Sequence, residues 1–235
     1  GGKIKVLVEK FSLQDLNIIK EINNIFENQG SLTLATNLST GSRKVVNNYT
    51  TMQDNPLKQA NNGISSIQDV NGISWFYKVF SSQHRLIIIG AVHISEALVE
   101  LSNVLNFKTY LIDPRNNFDK NKFSNKAIIL NEWPDEGLKK LGIDNKTCIV
   151  TLTHDPKLDD PALIYALKSN ALYIGCLGSK KTHESRIKRM MKHGFEQNEL
   201  SKIKGPVGLN INAKTPAEIA CSIISQIIER KNFND

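Results

Sequence analysis

The sequence predicts an α/β protein: a Rossmann-like, doubly wound parallel sheet preceded by a smaller N-terminal α/β lobe over residues 1–82. Three observations predict it. From residue 83 onward, apolar runs alternate with helical patterns, the signature of a parallel sheet covered on both faces. The run Arg85-Leu-Ile-Ile-Ile ends at Gly90, and a helical pattern with apolar Ile94, Leu98, Leu101 and Leu105 starts at once. A second run, Thr109 to Ile112, ends on Asp113, 23 positions after Gly90. That is the βαβ opening of a nucleotide-binding fold, in which a glycine permits the turn, a helix N-terminus faces an anion and an acid faces a ribose.

The elements follow in order. Residues 3 to 9 alternate and then run apolar, which predicts a strand. Ser12 reads as the N-cap of a helix from Leu13 to Asn28, with Leu16, Ile19, Ile22 and Phe26 on one face. Leu32 to Asn37 reads as a strand ended by Ser39-Thr-Gly-Ser42. The polar stretch from Asn47 to Gly72 reads as irregular loop with at most a short hairpin, and Trp75 to Phe80 as a strand closing the lobe. In the second region, strands are expected at 86–89, 109–112, 127–130, 148–153, 172–175 and 207–210. Helices are expected at 94–106, 134–141, 160–169, 180–193 and 215–231. Right-handed crossovers bring every strand-to-helix loop to one edge of such a sheet.

Composition narrows the function classes. The chain has 235 residues, of which 40% are hydrophobic and 23% charged, enough to bury a core. No apolar run approaches the roughly 20 residues of a membrane span, so the expectation is a cytoplasmic protein. The net charge of +7 suits anionic ligands, but no zinc-finger spacing or aromatic RNA-binding motif accompanies it, which sets nucleic acid aside. Cys148, Cys176 and Cys221 lie far apart in apolar contexts and read as three buried thiols.

Four strand-end segments carry candidate chemistry. In Gly90-Ala-Val-His93 only the first glycine of G-x-G-x-x-G is present, with Val92 and Ser95 at the other two positions, so the motif points to a phosphate-bearing ligand more than to NAD. His93, in the first helical turn, can donate to a phosphate or polarise a carbonyl. In Asp113-Pro-Arg115 the acid favours a ribose and the arginine an added phosphate, against the simpler reading of an ion pair in a proline turn. Thr153-His-Asp-Pro156 runs on to Asp159, Asp160 and Pro161, where an acid before Pro161 reads as an N-cap. Capping leaves His154 and Asp155 unexplained, and polar recognition of a heterocycle accounts for them better than a metal does. Gly175-Cys-Leu-Gly-Ser179, followed by Lys180, Lys181 and Arg186, reads as a second anion cradle, whereas Lys188, Arg189 and Lys192 suit a solvated helix face. Thr215-Pro-Ala-Glu218 is a capped helix start in which Glu218 is structural.

Taken together, Ile-Gly90-Ala-Val-His, Asp113-Pro-Arg-x-x-Phe118, Thr153-His-Asp-Pro, Asp160-Pro-Ala-Leu163, Tyr173-Ile-Gly-x-Leu-Gly-Ser179 and Thr215-Pro-x-Glu-Ile-Ala220 resemble the XdhC/CoxI family, in order over residues 84–231. These are accessory factors of xanthine dehydrogenase and carbon monoxide dehydrogenase. The resemblance implies that residues 83–235 are the Rossmann-like C-terminal domain of that family. It also implies that residues 1–82 are the C-terminal part, or remnant, of a larger N-terminal domain. By function it implies a chaperone that binds the molybdenum cofactor (molybdopterin) as cargo and supports its sulfuration and insertion into a molybdenum hydroxylase client. A cysteine desulfurase and a homodimer are further partner expectations. By matched position it implies cofactor-binding roles for Gly90, Ala91, His93, Asp113, Arg115, His154, Asp155, Gly178 and Ser179, with no catalytic residue and no metal ligand assigned. Val92 and Asn212 stand where many members have glycine. The competing reading is an NAD(P)-dependent oxidoreductase, against which stand the incomplete glycine motif and the lack of a paired acid and base.

Overall fold

The computed structural model describes residues 6–27, 30–46 and 65–232. The chain forms two compact units, one reaching Ser82 and a larger one beginning at Gln83.

In the first unit, Ser12 caps a short 3-10 turn over Leu13–Asp15. Its backbone N–H and hydroxyl both donate to the Asp15 carboxylate, and helix α1 (Leu16–Glu27) follows. Four antiparallel strands, β1 (Ser31–Asn37), β2 (Arg43–Val46), β3 (Ser66–Val70) and β4 (Ile73–Ser81), form a sheet in the order β2-β1-β4-β3. One expectation changes here. Val6 to Glu9 form no strand, and Val6 and Val8 are exposed, while residues 3–5 lie outside the described residues, as do Asn28 and residues 47–64. Residues 66–72 are a strand and a tight turn, the short hairpin that the reading of this stretch as loop allowed. Val70 pairs with Ile73 across Asn71 and Gly72, whose φ values of 51° and 77° are what a two-residue hairpin requires.

In the second unit six parallel strands lie in the order β10-β9-β8-β5-β6-β7. They are β5 (Arg85–Ile89), β6 (Lys108–Ile112), β7 (Ile128–Leu130), β8 (Thr147–Thr151), β9 (Tyr173–Cys176) and β10 (Ile203–Lys204). The helices are α2 (His93–Val104), α3 (Pro134–Leu141), α4 (Pro156–Leu167), α5 (Lys180–Lys192), α6 (Gln197–Leu200) and α7 (Pro216–Asn232). Strand β5 shows why its run is apolar throughout. Ile87 and Ile89 pack with Leu138 of α3, Leu163 of α4 and Met190 of α5, whereas Leu86 and Ile88 pack with Leu98 of α2 and Ile223 of α7. Successive side chains thus enter opposite layers, and both layers are dry.

Two boundaries differ from expectation, each for a physical reason. Helix α4 starts at Pro156 with Asp155 as its N-cap, and Pro161 lies inside the helix. The earlier start buries Leu158 as well as Ala162 and Leu163. The sixth strand is Ile203–Lys204, paired with Ile174 and Gly175, and not residues 207–210. The N–H groups of Val207, Gly208 and Leu209 instead reach Cys176 O, Gln226 Oε1 and Ser222 O, so no ladder can form there. Asn212 has a φ of 58°, the left-handed backbone that makes glycine usual at its position. Cys148 and Cys176 are buried, but Cys221 is exposed, so only two of the three thiols belong to the core. Glu218 accepts from the N–H groups of Lys214 and Thr215 and closes the start of α7.

Ile149 of the central strand β8 is fully buried. Ile149→Val should cost about 1 kcal/mol and Ile149→Ala about 2–5 kcal/mol in urea unfolding. Equal costs for the two would mean that the site collapses around the lost methyls.

Candidate functional site

Ladder register sets the site. Ile89 pairs with Ile112 and with Thr151, Ile112 with Leu130, and Thr151 with Cys176, so five strands end level. Three residues beyond those ends lie, in order across the sheet, Ser179, His154, Val92, Arg115 and Trp133. With neighbouring strands about 4.8 Å apart, this row is about 19 Å wide. All but Val92 are exposed. The four loops that sequence points to therefore share one rim, and Trp133, which sequence reasoning passed over, joins them from the edge strand.

The first turn is closed upon itself. Gly90 has a φ of 104°, and a Cβ there would run into the Thr153 methyl, so the bare α-carbon is needed for two strand ends to meet. Ala91 N donates to Asp113 Oδ2 at 2.7 Å, and Val92 N to Ser95 Oγ at 3.2 Å. Ser95, at the third glycine position, also donates to Gly90 O at 2.5 Å. The donors that would hold a pyrophosphate are thus engaged within the chain, leaving those of His93 and Ile94 at the helix start. His93 is exposed and 3.7 Å from Glu96. A cavity of about 350 Å³ opens beside it, lined also by Asn117, Phe118 and Lys122.

Asp113 is fully buried and its acceptor capacity is filled. Oδ1 accepts from Arg115 N and Nε at 2.9 Å each, and Oδ2 from Arg115 Nη2 at 2.7 Å besides Ala91 N. Burial alone would raise its pKa, but the Arg115 fork and the two backbone donors outweigh it and hold the carboxyl below its ordinary value. The ion-pair reading of this segment is what the structure contains. The carboxylate has no lone pair left for a ribose, while Arg115 stands at the surface with its outer edge free for a ligand.

His154 takes a left-handed backbone, φ 60°, which projects its ring from the rim. Asp155 caps α4 by accepting from Lys157 N at 2.9 Å, so capping does account for it. Asp159 is buried, accepts from Thr153 Oγ1 at 2.7 Å, and is raised above the ordinary carboxylate range, chiefly by that burial. Asp160 forks with Arg189 at 2.6 and 2.9 Å, tying α4 to α5, so Arg189 does not belong to a solvated face.

The second cradle keeps its donors. Gly178 has a φ of 145°, and Ser179 Oγ caps α5 by accepting from Thr182 N at 3.1 Å. Among the described residues, the N–H groups of Gly178 to Lys181 have no partner. Arg186 is buried beneath this loop. Its Nη2 donates to Leu177 O at 2.7 Å, but Nε and Nη1 find no acceptor, although Asp159 lies within electrostatic reach. A buried guanidinium with idle donors under a glycine loop is chemically matched to an oxyanion. Cys176 beside it is no nucleophile, because burial pushes its thiol up to about 12.

The Asp113 contacts give a prediction. Asp113→Asn should cost about 2–3 kcal/mol at pH 7, since an amide cannot accept all four bonds. A carboxyl with a depressed pKa stabilises above its unfolded-state value, and that contribution disappears as pH falls below about 4. Denaturation curves of the two proteins should therefore converge toward acid, and a gap that widens there would contradict the assignment.

Comparison with known proteins accords with this architecture. Residues 86–227 match the model of the XdhC Rossmann domain, which covers more than half of the chain. An Escherichia coli protein, YqeB, is 28% identical over 181 residues, covering 74% of this chain and 33% of its own length. The molybdenum cofactor insertion chaperone PaoD of Escherichia coli is 31% identical over 85 residues, 36% of this chain and 27% of its own. A Bacillus subtilis protein named as a probable xanthine dehydrogenase subunit is 27% identical over 157 residues, 66% of this chain and 46% of its own. The chain thus spans less than half the length of each of these relatives. A crystal structure described as a xanthine dehydrogenase from Bacillus halodurans shares the fold, with a TM-score of 0.69 and 24% identity over 95% of this chain and 66% of its own. With the matched domain covering the rim and both layers beneath it, the chain belongs to the XdhC family.

Proposed function

We propose that this protein binds the molybdenum cofactor as cargo and delivers it to a xanthine dehydrogenase-type molybdenum hydroxylase. The observation that carries the reading is the rim itself: exposed Arg115, His154 and Ser179 stand level, with the idle donors of Arg186 under Gly178. The cargo is a pterin bearing a phosphate, and this arrangement offers an oxyanion site and polar side chains within one row. A relative named as a molybdenum cofactor insertion chaperone supports the same direction.

In this reading the phosphate lies against the N–H groups of Gly178 and Ser179, over Arg186. Arg115 and His154 meet polar edges of the ring, and Gly90, Ala91, His93 and Asp155 shape the floor and flank. Asp113 acts through Arg115, whose guanidinium it aims. In this reading the residues bind and orient the cargo. The cytoplasm is the expected compartment. If the cargo is sulfurated while bound, a separate donor such as a cysteine desulfurase supplies the sulfur; Cys148 and Cys176 are buried with thiols pushed up to about 12 and take no part. A homodimer would set two such rims in one particle. The NAD(P)-dependent oxidoreductase reading is weaker, since Ala91 N and Val92 N are already bonded.

Thermal melting with molybdopterin, NAD(H) and NADP(H) tests the choice. Molybdopterin should add about 2.7 kcal/mol at a hundredfold excess over its dissociation constant. A shift with the nicotinamide nucleotides alone, accompanied by turnover, would overturn the reading. Arg115→Ala and Arg186→Met should each weaken molybdopterin binding by about 1.5–3 kcal/mol in a titration. Unchanged affinity in both would move the ligand to another part of the molecule.

A further inference from the structure

We propose that Trp133 is the stacking platform for the planar ring of the ligand held at this rim. The inference rests on the reading just given, that the ligand carries a heteroaromatic ring, and adds a residue on which that ring lies.

Position comes first. Leu130 pairs with Ile112, and Trp133 stands as far beyond Leu130 as Arg115 stands beyond Ile112. The two residues therefore follow neighbouring strands, whose ends lie about 4.8 Å apart, at equal distances in sequence. Their loops are bonded to each other: Asn131 Nδ2 donates to Asp113 O at 3.3 Å and to Asn116 Oδ1 at 3.1 Å. Arg115 leans toward the start of α4, feeling the charges of Asp155 and Asp159, and α3 packs beside α4 on that face. Trp133, the N-cap of α3, thus starts a helix on the same face of the sheet as α4, which begins just after His154.

The state of the ring comes second. Trp133 is 50% exposed, although tryptophan is among the side chains most heavily buried on average. Among the described residues no aromatic ring stacks on it and no cation lies over it. Its backbone is fixed, because Pro134 occupies the first helical position and Gly137 N donates to Trp133 O at 2.9 Å. An exposed indole on a helix start whose backbone is held in place offers a flat face to a ring. Stacking on such a face tolerates differences in ring substitution, because every heteroaromatic has a π-face.

Tryptophan fluorescence tests this directly. The chain has two tryptophans, Trp75 and Trp133, so Trp75→Phe leaves Trp133 as the sole reporter. Titration of that protein with isolated molybdopterin should quench its emission. Trp133→Ala should weaken molybdopterin binding about tenfold, equivalent to about 1.4 kcal/mol, while Trp133→Phe stays within about threefold of the parent. Both variants should melt at the parent temperature, since the ring belongs to neither apolar layer. If molybdopterin binds, Arg115→Ala weakens it and Trp133→Ala does not, the stacking role is wrong and the cofactor reading stands. If the parent does not bind molybdopterin at all, both fall.

Discussion

One buried carboxylate holds the rim in shape. Asp113 receives Ala91 N from the end of β5 and three donors from Arg115 after β6, so it joins two strand ends and aims the cation between them. A carboxylate taken out of water needs its lone pairs filled, and here four donors fill them. The same bonds settle what the glycine turn can do. With Ala91 N spent on Asp113 and Val92 N on Ser95, the first helix start keeps only the N–H groups of His93 and Ile94 for a ligand.

In the proposed reading, anion binding falls to the other half of the row. There, among the described residues, Gly178 and Ser179 keep their N–H groups free, and Arg186 lies underneath with two donors lacking acceptors. The division of labour follows from side chains. Ser95 fills the first turn with a hydroxyl, whereas Gly178 leaves the second open, with the Arg186 guanidinium at van der Waals distance from where a Cβ would sit. Burial also favours the uncharged form of Asp159, which reduces the competition an anion would meet near Arg186.

Much of this was legible in the sequence, for reasons that differ by residue. Five of the six parallel strands announced themselves because two-sided burial demands unbroken apolar runs, and α3 because Pro134, its acids and its closing Gly142 mark both ends. Gly90 was legible as a turn that excludes a side chain, though the atom that excludes it, the Thr153 methyl, belongs to another strand's end. Pairing is what sequence does not spell out. It left β10 misplaced beyond Gly205-Pro206, and it hid the Ala91 N–H that completes the Asp113 contacts from 22 residues away. The hairpin at Asn71-Gly72 carried a readable signal, a left-handed turn pair between short alternating segments, amid polar surroundings that otherwise read as loop. Trp133 went unnoticed because an aromatic before a helix suggests packing, and only its exposure says otherwise.

The level ending of the strands has a consequence for how such a chain can drift in length. Adding or deleting one residue within β5, β6, β8 or β9 would turn the pleat over and send the following rim side chain to the opposite layer. The same change in the loops that enter the strands, at the far edge of the sheet, would leave the row untouched. Insertions and deletions are therefore expected to gather at that far edge, where the chain is free to vary while the row keeps its spacing.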